Sequence, residues 1–260
     1  MRDAGVQQRE ADAKSEALRR EFRHELNVSY GPHEKQYLDI YYPKQPAQNA
    51  RVVAFVHGAG GYVNHPARFG FVGRALLERG VMFVVLGGRR MPDLPFPDSC
   101  DDIEDGLAWI ADHIREHGGD PDKIYLAGES FGAMESADVA FRQELIRHGL
   151  APFTIKGVIL FGGGYMAEAM DGANKGSPRY LPNLREVLPH LPPHAIVVAG
   201  TREQLPRSLP EARALVAAVE ERGGSAELIE LEGVDHFHTI DSLADPNGLV
   251  FKAVARMIGL

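Results

Sequence analysis

The chain has 260 residues, 44% of them hydrophobic and 25% charged, the balance of a globular protein with length enough for one large α/β domain. Its 28 Lys and Arg against 36 Asp and Glu leave a net charge of −8, which argues against a phosphate-binding surface for nucleic acid. The one cysteine, Cys100, excludes an intrachain disulfide and a cysteine zinc cluster.

Residues 1–22 are charged throughout and lack the apolar core of a signal peptide, and no stretch reaches membrane-span length. The expectation is a cytoplasmic protein without a membrane partner. Residues 8–27 read as a helix, with Leu18, Phe22 and Leu26 on one face. As an N-terminal extension, residues 1–27 either pack on the body or cap a site.

From residue 36 strands and helices alternate. Strands are expected at 36–42, 51–57, 81–87, 123–128, 155–163, 195–200 and 226–233. Helices are expected at about 67–79, 100–117, 131–148, 209–222 and 243–258. "RVVAFVH" and "VMFVVLG" are near-continuous apolar runs, which a sheet covered on both faces requires. The pattern predicts an α/β fold, a mostly parallel sheet with helices on both faces, over a single domain at 28–260. The gap 164–193 is long and rich in Gly and Pro, which suits a lid or substrate wall.

Ligands of such sheets sit beyond the carboxyl ends of the strands. After the strand at 123–128 stands Gly128-Glu129-Ser130-Phe131-Gly132. A serine between two glycines at a strand-to-helix junction can be exposed on a sharp turn, facing the positive end of the helix; as a plain alternative it caps that helix. After 51–57 comes Gly58-Ala59-Gly60-Gly61. Its backbone N–H groups could hold an oxyanion, with Ala59 and Gly60 the expected donors beside Phe131. It matches no phosphate loop.

After the strand at 195–200 the first acid is Glu203, and after 226–233 come His236 and His238. Histidine has the pKa of a general base, and a carboxylate would hold its working tautomer. His-x-His is also a ligand spacing, but Ile240 stands where a third ligand would follow, so no metal is expected. The chain order Ser130, Glu203, His236 is that of an α/β-hydrolase.

On these residues the sequence resembles the α/β-hydrolase carboxylesterases, in particular those related to hormone-sensitive lipase and the feruloyl-esterase-like group. The resemblance runs from about residue 28 to 260. It is carried by "YLDIYYP", "VVAFVHGAGG", "FPDSCDDIEDGLAWI", "GGDPDKIYLAGESFGA", "GSPRYLPNLREVLPHLPPHAIVVAGTRE" and "GVDHF". It implies the α/β-hydrolase fold with a short lid, and a serine esterase with Ser130 as nucleophile, His236 as base and Glu203 as acid. The histidine of that pattern directly precedes Phe, which favours His236 over His238. Two departures stand out: Ala59 replaces the usual Gly, and Glu203 the more frequent Asp, which leaves Asp235 and Asp241 as substitute acids.

The resemblance implies a small-molecule ester as partner, no cofactor, and leaves a homodimer open. Tyr62, Met134 and Tyr165, with Met91, Met166 and Met170, are expected near the substrate. Arylformamidase, lactonase or thioesterase chemistry on the same triad is the alternative. A non-catalytic relative that binds a small ligand is the alternative of another class.

Overall fold

The computed structural model describes residues 4–45, 47–58, 65–90, 93–142, 150, 154–165, 194–203 and 207–260. The expected lid at 164–193 therefore lies, beyond Tyr165, outside the described residues.

Eight strands form one sheet: β1 (His24–Ser29), β2 (Tyr37–Tyr41), β3 (Ala50–Val56), β4 (Met82–Leu86), β5 (Gly119–Glu129), β6 (Ile155–Phe161), β7 (Ala195–Gly200) and β8 (Ala226–Leu231). Their order is β1-β2-β4-β3-β5-β6-β7-β8. β1 and β2 pair antiparallel, as do β2 and β4. From β4 to β8 all pairs are parallel.

The apolar runs are explained by burial on both faces. Val52, Ala54 and Val56 of β3 join a core with Ile103 and Leu107 of α3 (Cys100–His113), Ala133 and Ala137 of α4 (Phe131–Arg142), and Leu215 of α5 (Ser208–Glu221). The alternate residues Val53 and Phe55 join the opposite core. That core holds Leu76 and Leu77 of α2 (Arg74–Glu78), Leu243 of α6 (Asp241–Ala244), and Val250 and Val254 of α7 (Leu249–Ile258).

Three boundaries differ from the sequence expectation. The first helix, α1, covers Ala4–Glu21, and Leu26 lies in β1. Leu18 and Phe22 are buried as the helical spacing demands, but the chain then turns to pair with β2. The helix expected at 67–79 is two 3-10 turns followed by the short α2, because Gly70 and Gly73 weaken it. The helix expected at 243–258 is split into α6 and α7: Pro246 holds Asp245 extended (φ −91°, ψ 119°).

The parallel registers bring the strand ends level. Val56 of β3 lies beside Gly128 of β5, Glu129 beside Phe161 of β6, Phe161 beside Val198 of β7, and Gly200 beside Leu231 of β8. Residues 58, 130, 162, 203 and 236 all follow directly from this edge.

Candidate active site

Ser130 joins β5 to α4 in a left-handed backbone conformation (φ 56°), which costs a residue with a side chain about 1–2 kcal/mol. Its N–H donates to the Phe161 carbonyl at 2.8 Å, fixing the turn to the neighbouring strand. The flanking glycines leave room for it. A Cβ on Gly128 would strike the carbonyl of Gly132, and one on Gly132 would strike that of Val56. A helix can therefore start hard against two strand ends only with glycine at both places.

The Ser130 hydroxyl donates to Nε2 of His236 at 2.9 Å, and Nδ1–H of His236 donates to Oε2 of Glu203 at 2.7 Å. Because a carboxylate only accepts, Nδ1 must carry the ring proton. That leaves Nε2 free to accept from the serine. The Glu203 side chain is 4% exposed, and its Oε1 accepts the Gly200 N–H at 3.3 Å. Gly162 (φ 57°) passes beneath: a Cβ there would lie 3.0 Å from Nδ1 of His236 and 3.1 Å from Oε1 of Glu203.

The alternatives left by the sequence are engaged elsewhere. Asp235 accepts from Nδ1 of His238 at 2.6 Å, and Asp241 accepts from Lys14 at 2.9 Å. His238 is thus paired with its own loop, and neither aspartate takes the place of Glu203. Burial pushes the His236 pKa down. The Glu203 hydrogen bond and the charges of Glu129, Glu203 and Asp235 outweigh it, and the net shift is upward.

Phe131 opens α4, so its N–H has no intrahelical acceptor and stands next to Ser130. Ala59 and Gly60, the other two expected oxyanion donors, and Tyr62 lie outside the described residues, as do Met91, Met166 and Met170. Gly58 just before them is held by Glu129 Oε2, which accepts its N–H at 3.0 Å. Met134 is half-buried one turn along α4. Tyr165, expected to line a pocket, is instead 3% exposed within the core. Its hydroxyl accepts the Gly163 N–H and its own N–H donates to Glu211, so it braces the loop after β6.

Sequence reasoning missed two groups. Glu129 is buried against the triad; its position between Gly128 and Ser130 was the available signal. Arg90, after β4, donates from Nε and Nη2 to Glu135 Oε2 at 2.9 and 2.8 Å, and its Nη1 lies 3.4 Å from the His57 ring. His57 stacks on Phe69 with ring centroids 5.3 Å apart. Burial, then the Arg90 charge, hold it neutral.

The serine turn, the level strand ends and the strand order together decide the fold. The chain has the α/β-hydrolase fold. The BD-FAE family model matches residues 38–147. A rice (Oryza sativa subsp. japonica) protein named "Probable isoprenylcysteine alpha-carbonyl methylesterase ICME" is 29% identical over 241 residues, 81% of this chain and 57% of that protein. Kynurenine formamidase of Danio rerio is 24% identical over 248 residues, covering 90% of this chain and 82% of its own. The crystal structure of an inhibited esterase B from Lactobacillus rhamnosis superposes with a TM-score of 0.78 at 17% identity, covering 96% of this chain and 93% of that one. The resemblance to α/β-hydrolase carboxylesterases is thus borne out. The chain spans about half the length of the methylesterases it matches.

Among the described residues, no group of three or more His, Cys, Asp or Glu is placed to hold a metal ion. Among them, too, no helix is long and apolar enough to cross a membrane.

Proposed function

We propose that this α/β-hydrolase is a serine hydrolase cleaving a small carboxylic ester through an acyl-enzyme. The observation that carries this reading is the hydrogen-bonded row Ser130–His236–Glu203, at 2.9 and 2.7 Å, beyond the sheet edge. His236 takes the hydroxyl proton as Ser130 Oγ attacks the ester carbonyl, and the carbonyl oxygen becomes an oxyanion. The Phe131 N–H, at the start of α4 next to Ser130, is the proposed donor to it, with Ala59 and Gly60 as the proposed further donors. The imidazolium then gives its proton to the leaving alcohol as the carbon–oxygen bond breaks. Water, deprotonated by the same ring, attacks the acyl-enzyme and releases acid and free serine.

Esters named in the relatives favour this class: the rice protein is named as a methylesterase. A second reading, cleavage of an N-formyl aryl amide, is favoured by the match to Danio rerio kynurenine formamidase over most of both chains. One experiment separates them. A fluorophosphonate probe should label the wild type and not Ser130→Ala. A chain-length series of 4-nitrophenyl esters should then be turned over faster than an N-formyl aryl amide. A folded wild type that takes no label refutes the serine mechanism; a preference for the formamide moves the assignment to the second reading.

A further inference from the structure

Glu129 is a buried carboxylate that the triad mechanism does not use. It ends β5, one residue before the serine, and its side chain is 7% exposed. Its two oxygens face two different parts of the site. Oε2 accepts the Gly58 N–H at 3.0 Å, so it grips the chain immediately before Ala59 and Gly60. Oε1 lies 3.6 Å from Nε2 of His236, the same nitrogen that receives the serine proton. The fit to Gly58 is tight, since a Cβ on that residue would collide with Oε2. No residue other than glycine could stand there without displacing the carboxylate.

We propose that Glu129 is a positioning residue with two tasks: it anchors the start of the oxyanion segment, and it stabilises the imidazolium of His236 from the Nε2 side. The inference rests on the serine-hydrolase reading above. Glu203 reaches the ring only through Nδ1. When the ring takes the serine proton, the new N–H appears on the other edge, where Glu129 supplies the nearby negative charge. The ring is then flanked by carboxylates from β5 and from the end of β7. Asp235 on its own loop is engaged by His238. Arg90 is the cation that bears on Glu129 from the segment after β4, while its own hydrogen bonds go to Glu135. Burial, joined by the Glu203 charge, raises the Glu129 pKa on balance; His236, the largest opposing influence, then the Gly58 N–H and Arg90 pull it back down. The charge on Glu129 and the charge on the ring therefore support each other.

Glu129→Gln isolates the electrostatic task, because its amide oxygen can still accept from Gly58 while the charge is gone. With a neutral 4-nitrophenyl ester, the acid limb of the kcat/KM profile should move about one pH unit lower, since the ring loses a partner for its protonated form. On the plateau kcat should fall about tenfold with KM little changed. Glu129→Asp keeps the charge and withdraws it from Gly58. Its limb should stay within about half a unit of the wild type while its plateau kcat falls. A coincident limb in a folded Glu129→Gln enzyme overturns the electrostatic task. Should that variant not fold, a wild-type plateau in Glu129→Asp overturns the anchoring task. A wild type without esterase activity or probe labelling strikes at the serine-hydrolase reading itself, a failure distinct from either of these.

Discussion

Replacing Glu203 tests the least predictable member of the row. In Glu203→Gln the side chain keeps its shape, but one of its two terminal atoms becomes an NH2 donor. The carboxylate is 4% exposed and its other oxygen is engaged by the Gly200 N–H at 3.3 Å, so water has little room to repair the loss. An amide donating to Nδ1 would force the ring proton onto Nε2, where it opposes the serine hydroxyl. Loss of the working tautomer costs about three to four decades in kcat, or about 4–5 kcal/mol of barrier. Glu203→Asp keeps the charge but draws it back by about 1.5 Å, one carbon–carbon bond. The 2.7 Å contact to Nδ1 would then open beyond hydrogen-bond range unless the loop follows. An intermediate loss of about tenfold to a hundredfold is expected. The assay is kcat and KM on 4-nitrophenyl acetate, with active sites counted by fluorophosphonate and folding checked by thermal melts. A folded Glu203→Gln enzyme within about tenfold of wild type would refute the assignment, because another group would then be orienting His236.

Gly162→Ala places a Cβ 3.0 Å from Nδ1 of His236 in a left-handed backbone (φ 57°). Stability should fall by about 1–2 kcal/mol and kcat by at least about tenfold, read by melts and ester turnover; wild-type turnover would show that the ring tolerates displacement. Asp39 is fully buried on β2, and burial lifts its pKa to about 6 against the hydrogen bond from Asn27 N–H. The folded chain holds this proton to higher pH than the unfolded chain does, so the contribution to stability is full below the ordinary carboxylate range and is lost as pH rises through about 6. Asp39→Asn should therefore melt several degrees higher than wild type at pH 8, an effect of up to about 3 kcal/mol, with the gap closing below about pH 4. An equal gap at both pH values would contradict the assignment of burial as its cause.

Much of the sheet was legible because its strands are covered on both faces. Burial on two sides leaves no polar alternation, so β3, β4, β6 and β7 stand out as apolar runs. Half-exposed β1 has no such run, and Leu26 fitted a helical spacing as well as a strand. The serine turn was legible for steric reasons, since glycine alone fits at 128 and 132. The choice among Glu203, Asp235 and Asp241 was not. It is decided by which partner captures each acid: His238 takes Asp235 and Lys14, from the first helix, takes Asp241. Those captures depend on loop conformation and on contacts 227 residues apart in the chain. Glu129 was unread for the same reason, because its significance comes from Gly58 and His236, 71 residues before and 107 after it.

The site is cross-braced between strand ends, and this bears on what fixes its geometry. Ser130 is tied by its N–H to the end of β6, Glu203 by its carboxylate to the end of β7, and Gly58 by Glu129 to the end of β5. His236 sits on a loop tightened by the Thr239 hydroxyl donating to its carbonyl. Ser130, Glu203 and Gly58 are thus anchored to strand ends, and the strands are held in register by parallel ladders with cores on both faces. Loops alone leave side chains free by an ångström or more, which is enough to cost a proton transfer much of its rate. The residues that look least chemical, Gly128, Gly132 and Gly162, permit the approach on which the charged ones depend.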